Sequence, residues 1–234
     1  MRNSRERVVE PELLDELPPQ DHRALRSRHD LRRLNTWMNH PQVMARALSE
    51  NLGGVKSLRI AEIGAGDGHF LLRVARRLPQ WPKADATLVD RLNAFDPGVL
   101  NGFNDPGWRL RTEITTAKDW LAQLAPDSVD AIVSNLFLHQ FPANELAEML
   151  RLAARCARVV IAVEPRRSWL SGLCGHLLWA VGCNSVTRYD AGISIRAGFS
   201  GRELSALWPD EKNWQLTEHA IGLFSHLFIA RRKE

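Results

Sequence analysis

Apolar residues along this chain repeat first with a helical period and then in short blocks separated by helical stretches. From Asp21 onward, Leu31, Leu34 and Met38 recur at three- and four-residue spacing beside Trp37. Pro41 interrupts, and Val43, Met44, Ala47 and Leu48 resume the period, which predicts two amphipathic helices with an Arg-rich outer face. Gly53 and Gly54 break the pattern before the apolar run 58–63, which reads as a buried strand running into a glycine-rich turn. Phe70, Leu71, Val74, Ala75 and Leu78 then form the stripe of a helix lying on a sheet, and residues 86–89 give the next strand, completing one βαβ unit. Strands are expected near 108–114, at 129–134 and at 159–163, with a helix over 143–157. Strands alternating with helices imply an α/β, doubly wound, mostly parallel sheet.

After Pro165, residues 168–183 are apolar and rich in small side chains, the pattern of a helical insertion placed at 166–190. Ser200 and Glu203 have the spacing of a capping box that opens a further helix. Strands near 214–218 and 225–230 finish the sheet as an antiparallel edge hairpin. Residues 1–20 are charged and carry Pro11, Pro18 and Pro19, so an irregular, partly disordered lead is expected there. The chain is thus divided into a lead and helical cap at 1–52 and a core domain at 53–234.

The formal net charge is +4, with the basic residues spread along the whole chain. That distribution argues against a nucleic-acid partner, which would want a basic patch interleaved with aromatics. Cys156, Cys174 and Cys183 are odd in number and lack CxxC spacing, so neither a disulfide framework nor a metal site is expected. The N-terminal stretch lacks the apolar run of a signal peptide, and nothing reaches the roughly 18 apolar residues of a membrane span. A soluble cytoplasmic protein, monomer or homodimer, is the expectation.

The chemistry concentrates in Glu62, Gly64, Ala65, Gly66, Asp67 and Gly68, which follow a strand and open a helix. Glycines there let backbone approach a ligand that a Cβ would hold away. The G-x-G-x-G spacing, with a carboxylate two places before the first glycine, suits a cationic amino group better than a pyrophosphate. Asp90 ends the next strand, where a carboxylate can accept both hydrogen bonds of a ribose diol.

With these residues in place, the sequence resembles the class I S-adenosylmethionine-dependent methyltransferases, through EIGAGDG, the LVD strand end and SNLFLHQF. More narrowly it looks like a group of small bacterial methyltransferases, through RSRHDLRRLN, DWL, EPRR and the stretch from Asn184 to Pro209. The resemblance implies a Rossmann-like sheet of seven strands and S-adenosyl-L-methionine as cofactor, with S-adenosyl-L-homocysteine as product. It also implies that Gly64, Ala65 and Gly66 lie along the methionine part, Glu62 near its amino group and Asp90 on the ribose. Arg91 and Leu92 would flank the adenine. The position at which an acidic residue commonly holds the adenine amine falls on Thr116, with Ala117 next, a departure from the family pattern in which the nearest carboxylate is Asp119. Asn135, Leu136 and His139 follow the fourth strand, where cofactor and acceptor should meet.

Two histidines are candidate bases for a hydroxyl acceptor: His139 by its strand-end position, and His176 by a helical face with Trp169, Gly172, Leu173 and Ala180. The expected activity is methyl transfer to a small molecule, at a hydroxyl oxygen of a phenolic or polyketide-like acceptor. The alternatives are methylation of protein or RNA, a non-catalytic module that holds the cofactor or a nucleoside, and a nucleotide-dependent dehydrogenase.

Overall fold

The computed structural model describes residues 6–53, 56–81, 83–168 and 182–233. Its centre is a sheet of seven strands in the order β3-β2-β1-β4-β5-β7-β6. The strands are β1 (Leu58–Ile63), β2 (Ala84–Asp90), β3 (Arg109–Ile114), β4 (Val129–Asn135), β5 (Ala157–Pro165), β6 (Trp214–Ile221) and β7 (Ser225–Arg232). Strands β1 to β5 pair in parallel, while β7 runs antiparallel between β5 and β6. The order reverses beside β1, so the carboxyl ends of β1 and β4 flank the crevice in which such sheets hold ligands.

Helix α1 (Leu13–Glu16) is a single turn, followed by α2 (His22–Trp37) and α3 (His40–Asn51). Helices α4 (His69–Ala75), α5 (Pro97–Gly102), α6 (Ala117–Gln123) and α7 (Ala143–Cys156) connect the parallel strands. Helices α8 (Ser185–Ala197) and α9 (Glu203–Leu207) lead into the hairpin. Every residue of β4 is buried, as are all but one of β5, because helices cover both faces. Two apolar clusters result. One packs α3 and α4 against one face through Met44, Leu48, Leu71 and Val74, and the other packs α6 and α7 against the opposite face through Leu121, Leu146 and Leu150.

The strand and helix sequence agrees with the apolar periodicity, including the antiparallel edge pair. Ser200 and Glu203 do not form the expected capping box: the Ser200 amide donates to Glu203 Oε2 at 3.0 Å, but α9 starts at Glu203 with Arg202 as its N-cap, because Gly201 at φ +63° keeps the intervening turn out of the helix. Helix α8 begins inside the expected insertion and runs past residue 190. The rest of that insertion, with His176, Trp169 and Cys174, lies outside the described residues. No helix among the described residues is long and apolar enough to cross a membrane.

Candidate active site

A cavity of about 830 Å³ opens at the carboxyl ends of β1, β2 and β4. Glu62, Gly64, Ala65, Gly66, Asp90, Arg91, Leu92, Thr116, Ala117, Asn135 and Leu136 all line it, so one site gathers residues from four separate stretches of sequence. Gly68 and His139 do not line it.

The glycine turn is shaped by sterics. Gly64 sits at φ +70°, and a Cβ there would fall 2.2 Å from the Phe137 ring, so any side chain would collide with that ring. Gly68, at φ +81°, would press a Cβ to 2.8 Å from Leu88 Cδ1, and its role is to seat the turn on β2. At the far side Leu136 adopts φ +54°, a left-handed conformation that costs a branched residue on the order of 1–3 kcal/mol. Its amide is held by the Val163 carbonyl at 2.9 Å.

The carboxylates at the rim and floor differ. Asp90 accepts from the Gly66 amide through Oδ2 and from the Leu92 amide through Oδ1, each at 2.8 Å, which fixes the loop to the strand end. Burial pushes its carboxyl above the usual range against those two bonds. Glu62 is 1 % exposed, and its Oε2 has no hydrogen-bond partner. Burial drives its pKa well up, and the Leu71 backbone amide offsets only part of that. An orphaned buried carboxylate facing a cavity fits a cationic ligand group, because such a group would supply both the missing donor and the missing charge.

Thr116 lines the cavity, yet its hydroxyl serves α6. It accepts the Asp119 amide at 3.1 Å and donates to Asp119 Oδ2 at 2.7 Å. Asn135 is buried and linked to His40 and Asn35. His139 lies behind the cavity wall. Its Nδ1 is 2.8 Å from Glu164 Oε2 and its Nε2 is 3.1 Å from Glu12 Oε1. Burial alone would lower its pKa, but the two carboxylates raise it to about 9, so the ring is a cation at neutral pH with both nitrogens engaged. In this arrangement neither nitrogen is free to take a proton from an acceptor.

Residues 6–16 form a strap across the cavity mouth, and sequence reasoning gave them no role. Arg7 donates to the carbonyls of Ala197, His139 and Phe141 at 2.8, 3.1 and 3.1 Å. Glu12 reaches His139, Gln140 and Ser194. The amides of Leu13 and Leu14 donate to Asp190 at 2.8 and 3.0 Å, and Asp15 pairs with Arg91 at 3.3 Å. Burial raises the Asp190 carboxyl to about 6 despite those two amides. Glu12, Leu14 and Asp15 thereby join the lining.

No protein-family model matches the chain, and no curated protein does. Solved structures do. The plantazolicin methyltransferase BamL, solved with a triazolic desmethyl-plantazolicin analogue and S-adenosylhomocysteine, superposes with TM-score 0.64 at 11 % identity, over 94 % of this chain and 93 % of that one. A Nostoc punctiforme protein designated an O-methyltransferase gives 0.59 at 14 % identity. An O-methyltransferase family protein from Burkholderia thailandensis gives 0.56 at 17 %. Each of these two superpositions covers 91 % of this chain, which spans only 61 % and 60 % of the respective partners. Sheet order, antiparallel hairpin and these superpositions together establish that the chain has the fold of the class I S-adenosylmethionine-dependent methyltransferases.

Proposed function

We propose that the protein transfers a methyl group from S-adenosyl-L-methionine to a hydroxyl oxygen of a small phenolic or polyketide-like acceptor. The observation that carries the cofactor is the unpaired Glu62 Oε2 at the floor of a glycine-lined cavity, with Asp90 one strand away. In this reading Glu62 receives the amino group, the Gly64 to Gly66 backbone lies along the methionine part, and Asp90 takes the ribose hydroxyls with the lone pairs its two amides leave free. Arg91, Leu92, Thr116 and Ala117 would flank the adenine, Thr116 offering backbone and carbon surface because its hydroxyl is spent on the α6 cap. When bound, the sulfonium supplies an electrophilic methyl group. The chain's own contribution is alignment: Asn135 and Leu136 fix where an acceptor can approach, and the strap excludes water. The triazolic desmethyl-plantazolicin analogue and S-adenosylhomocysteine held by BamL support the class of reaction.

Calorimetric titration with S-adenosylmethionine, S-adenosylhomocysteine and NAD tests this. The first two should bind and NAD should not. Asp90→Ala and Glu62→Gln should each weaken binding about tenfold or more, since each removes a charge-assisted hydrogen bond. Preferential NAD binding, or no binding of either adenosyl ligand, would sink the proposal.

A further inference from the structure

Asn135, at the end of β4, belongs to a buried hydrogen-bonded chain that begins on the edge hairpin and ends inside the cavity. Ser225 Oγ lies 2.6 Å from His40 Nε2, His40 Nδ1 lies 2.9 Å from Asn135 Oδ1, and Asn135 Nδ2 donates to Asn35 Oδ1 at 3.2 Å. His40 is 1 % exposed with neutral partners on both ring nitrogens, and burial lowers its pKa to about 4. A neutral imidazole has one donor and one acceptor. The Asn135 oxygen facing Nδ1 requires the hydrogen to be there. Nε2 therefore accepts from the Ser225 hydroxyl, whose other neighbour, the Met38 thioether at 3.8 Å, is a far weaker acceptor. The chain runs one way, from Ser225 through His40 and Asn135 to Asn35.

This polarity decides what the cavity presents. Each amide oxygen already accepts one bond within the chain and keeps a single lone pair. Three N–H groups stay unspent by the chain beside the space that both residues line, one on Asn135 and two on Asn35. We infer that these two amides form a donor pair that selects a deprotonated acceptor oxygen, a phenolate or carboxylate, over an amine, with His40 as the positioning residue that sets their orientation. The inference rests on the methyl-transfer reading and narrows its acceptor oxygen to the ionised form.

An amine attacks with its single lone pair, which N–H donors would occupy. An oxygen anion keeps lone pairs to spare and gains charge-assisted bonds. The ionised oxygen forms its bond to the methyl carbon as the carbon–sulfur bond breaks and that electron pair returns to sulfur, so no proton moves in the step. A side-chain base is unnecessary, in keeping with the engaged ring of His139.

Nitrogen-15 NMR of the labelled protein reads the chain directly. His40 should show the neutral Nδ1–H tautomer from about pH 5 to about 8. With S-adenosylhomocysteine bound, 4-nitrophenol should bind as its anion and shift the Asn135 side-chain amide signals. It should bind about tenfold or more tighter than its near-isostere 4-nitroaniline. His40→Asn, which keeps a donor where Nδ1 stands, should retain that preference, and His40→Gln, whose donor sits at the other end, should lose it. An Nε2–H tautomer, a preference for the aniline, binding of neither probe, or equal behaviour of the two variants would overturn the inference. Absence of S-adenosylhomocysteine binding would fail the methyl-transfer reading instead, and the tautomer, measured without ligand, would still decide the chain.

Discussion

His40 and His139 are 1 % and 2 % exposed and differ in charge, His40 neutral against the ends of β4 and β7 and His139 a cation against the end of β5. His40 contacts an amide oxygen and a hydroxyl, so desolvation prevails and its pKa falls to about 4. His139 contacts two carboxylates, which outweigh the same desolvation and raise its pKa to about 9. Burial sets the stakes and the partners set the sign. The neutral ring organises the cavity wall, and the charged one anchors the strap.

The largest break in this contrast should come from Glu164→Gln. Glu164 is fully buried, pairs with His139 and also accepts the amides of Phe137, Leu138 and His139. Removing its charge leaves a buried cation short of its nearest partner, and urea unfolding should show a loss of about 3–5 kcal/mol. A loss below about 1 kcal/mol would mean that His139 is neutral in the fold.

Next comes pH. The folded pKa of His139 is raised above its unfolded value of about 6.5, so its contribution is complete below that value and is lost as pH rises through about 9. The folded pKa of His40 is lowered, so its burial costs nothing above about 6.5 and costs progressively more as pH falls toward about 4. Each swing is on the order of 3 kcal/mol, and together they place a stability maximum near neutrality. Melting temperature against pH should lose its alkaline slope in His139→Gln and soften its acid slope in His40→Asn. Unchanged slopes would remove the contrast.

Glu12→Gln, on the strap side of His139, should cost about 1–3 kcal/mol and speed hydrogen exchange at the Leu13 and Leu14 amides, which Asp190 holds beside it. Protection unchanged at those amides would show that the strap is held without His139. The smallest effect belongs to Glu10→Ala. Its pair with Arg196 is about half exposed on both sides, and stability should move by no more than about 1 kcal/mol in the same titration.

The glycine turn was legible because one contiguous segment carries both its glycines and its acid, Glu62, Gly64, Gly66 and Gly68, although the side chains that press on two of those glycines, Phe137 on Gly64 and Leu88 on Gly68, come from elsewhere. The strands were legible for the same local reason. The strap was not. Its residues obey no apolar period, and their partners His139, Asp190 and Arg196 lie far along the chain. Helix α8 carries little apolar period because its buried face includes Thr187 and Asp190, polar residues that Asp30 and the strap amides satisfy. Thr116 was placed in the cavity by register, but the capping role of its hydroxyl shows only in the bond to Asp119.

The strap also orders events in time. Its residues leave the ribosome before any other described part of the chain, whereas their anchors at Asp190 and Arg196 emerge among the last. The glycine turn and its flanking strands can assemble while the nascent segment still has nothing to grip. The strap therefore gains its grip on Asp190 and Arg196 only after residues 190–196 have been made.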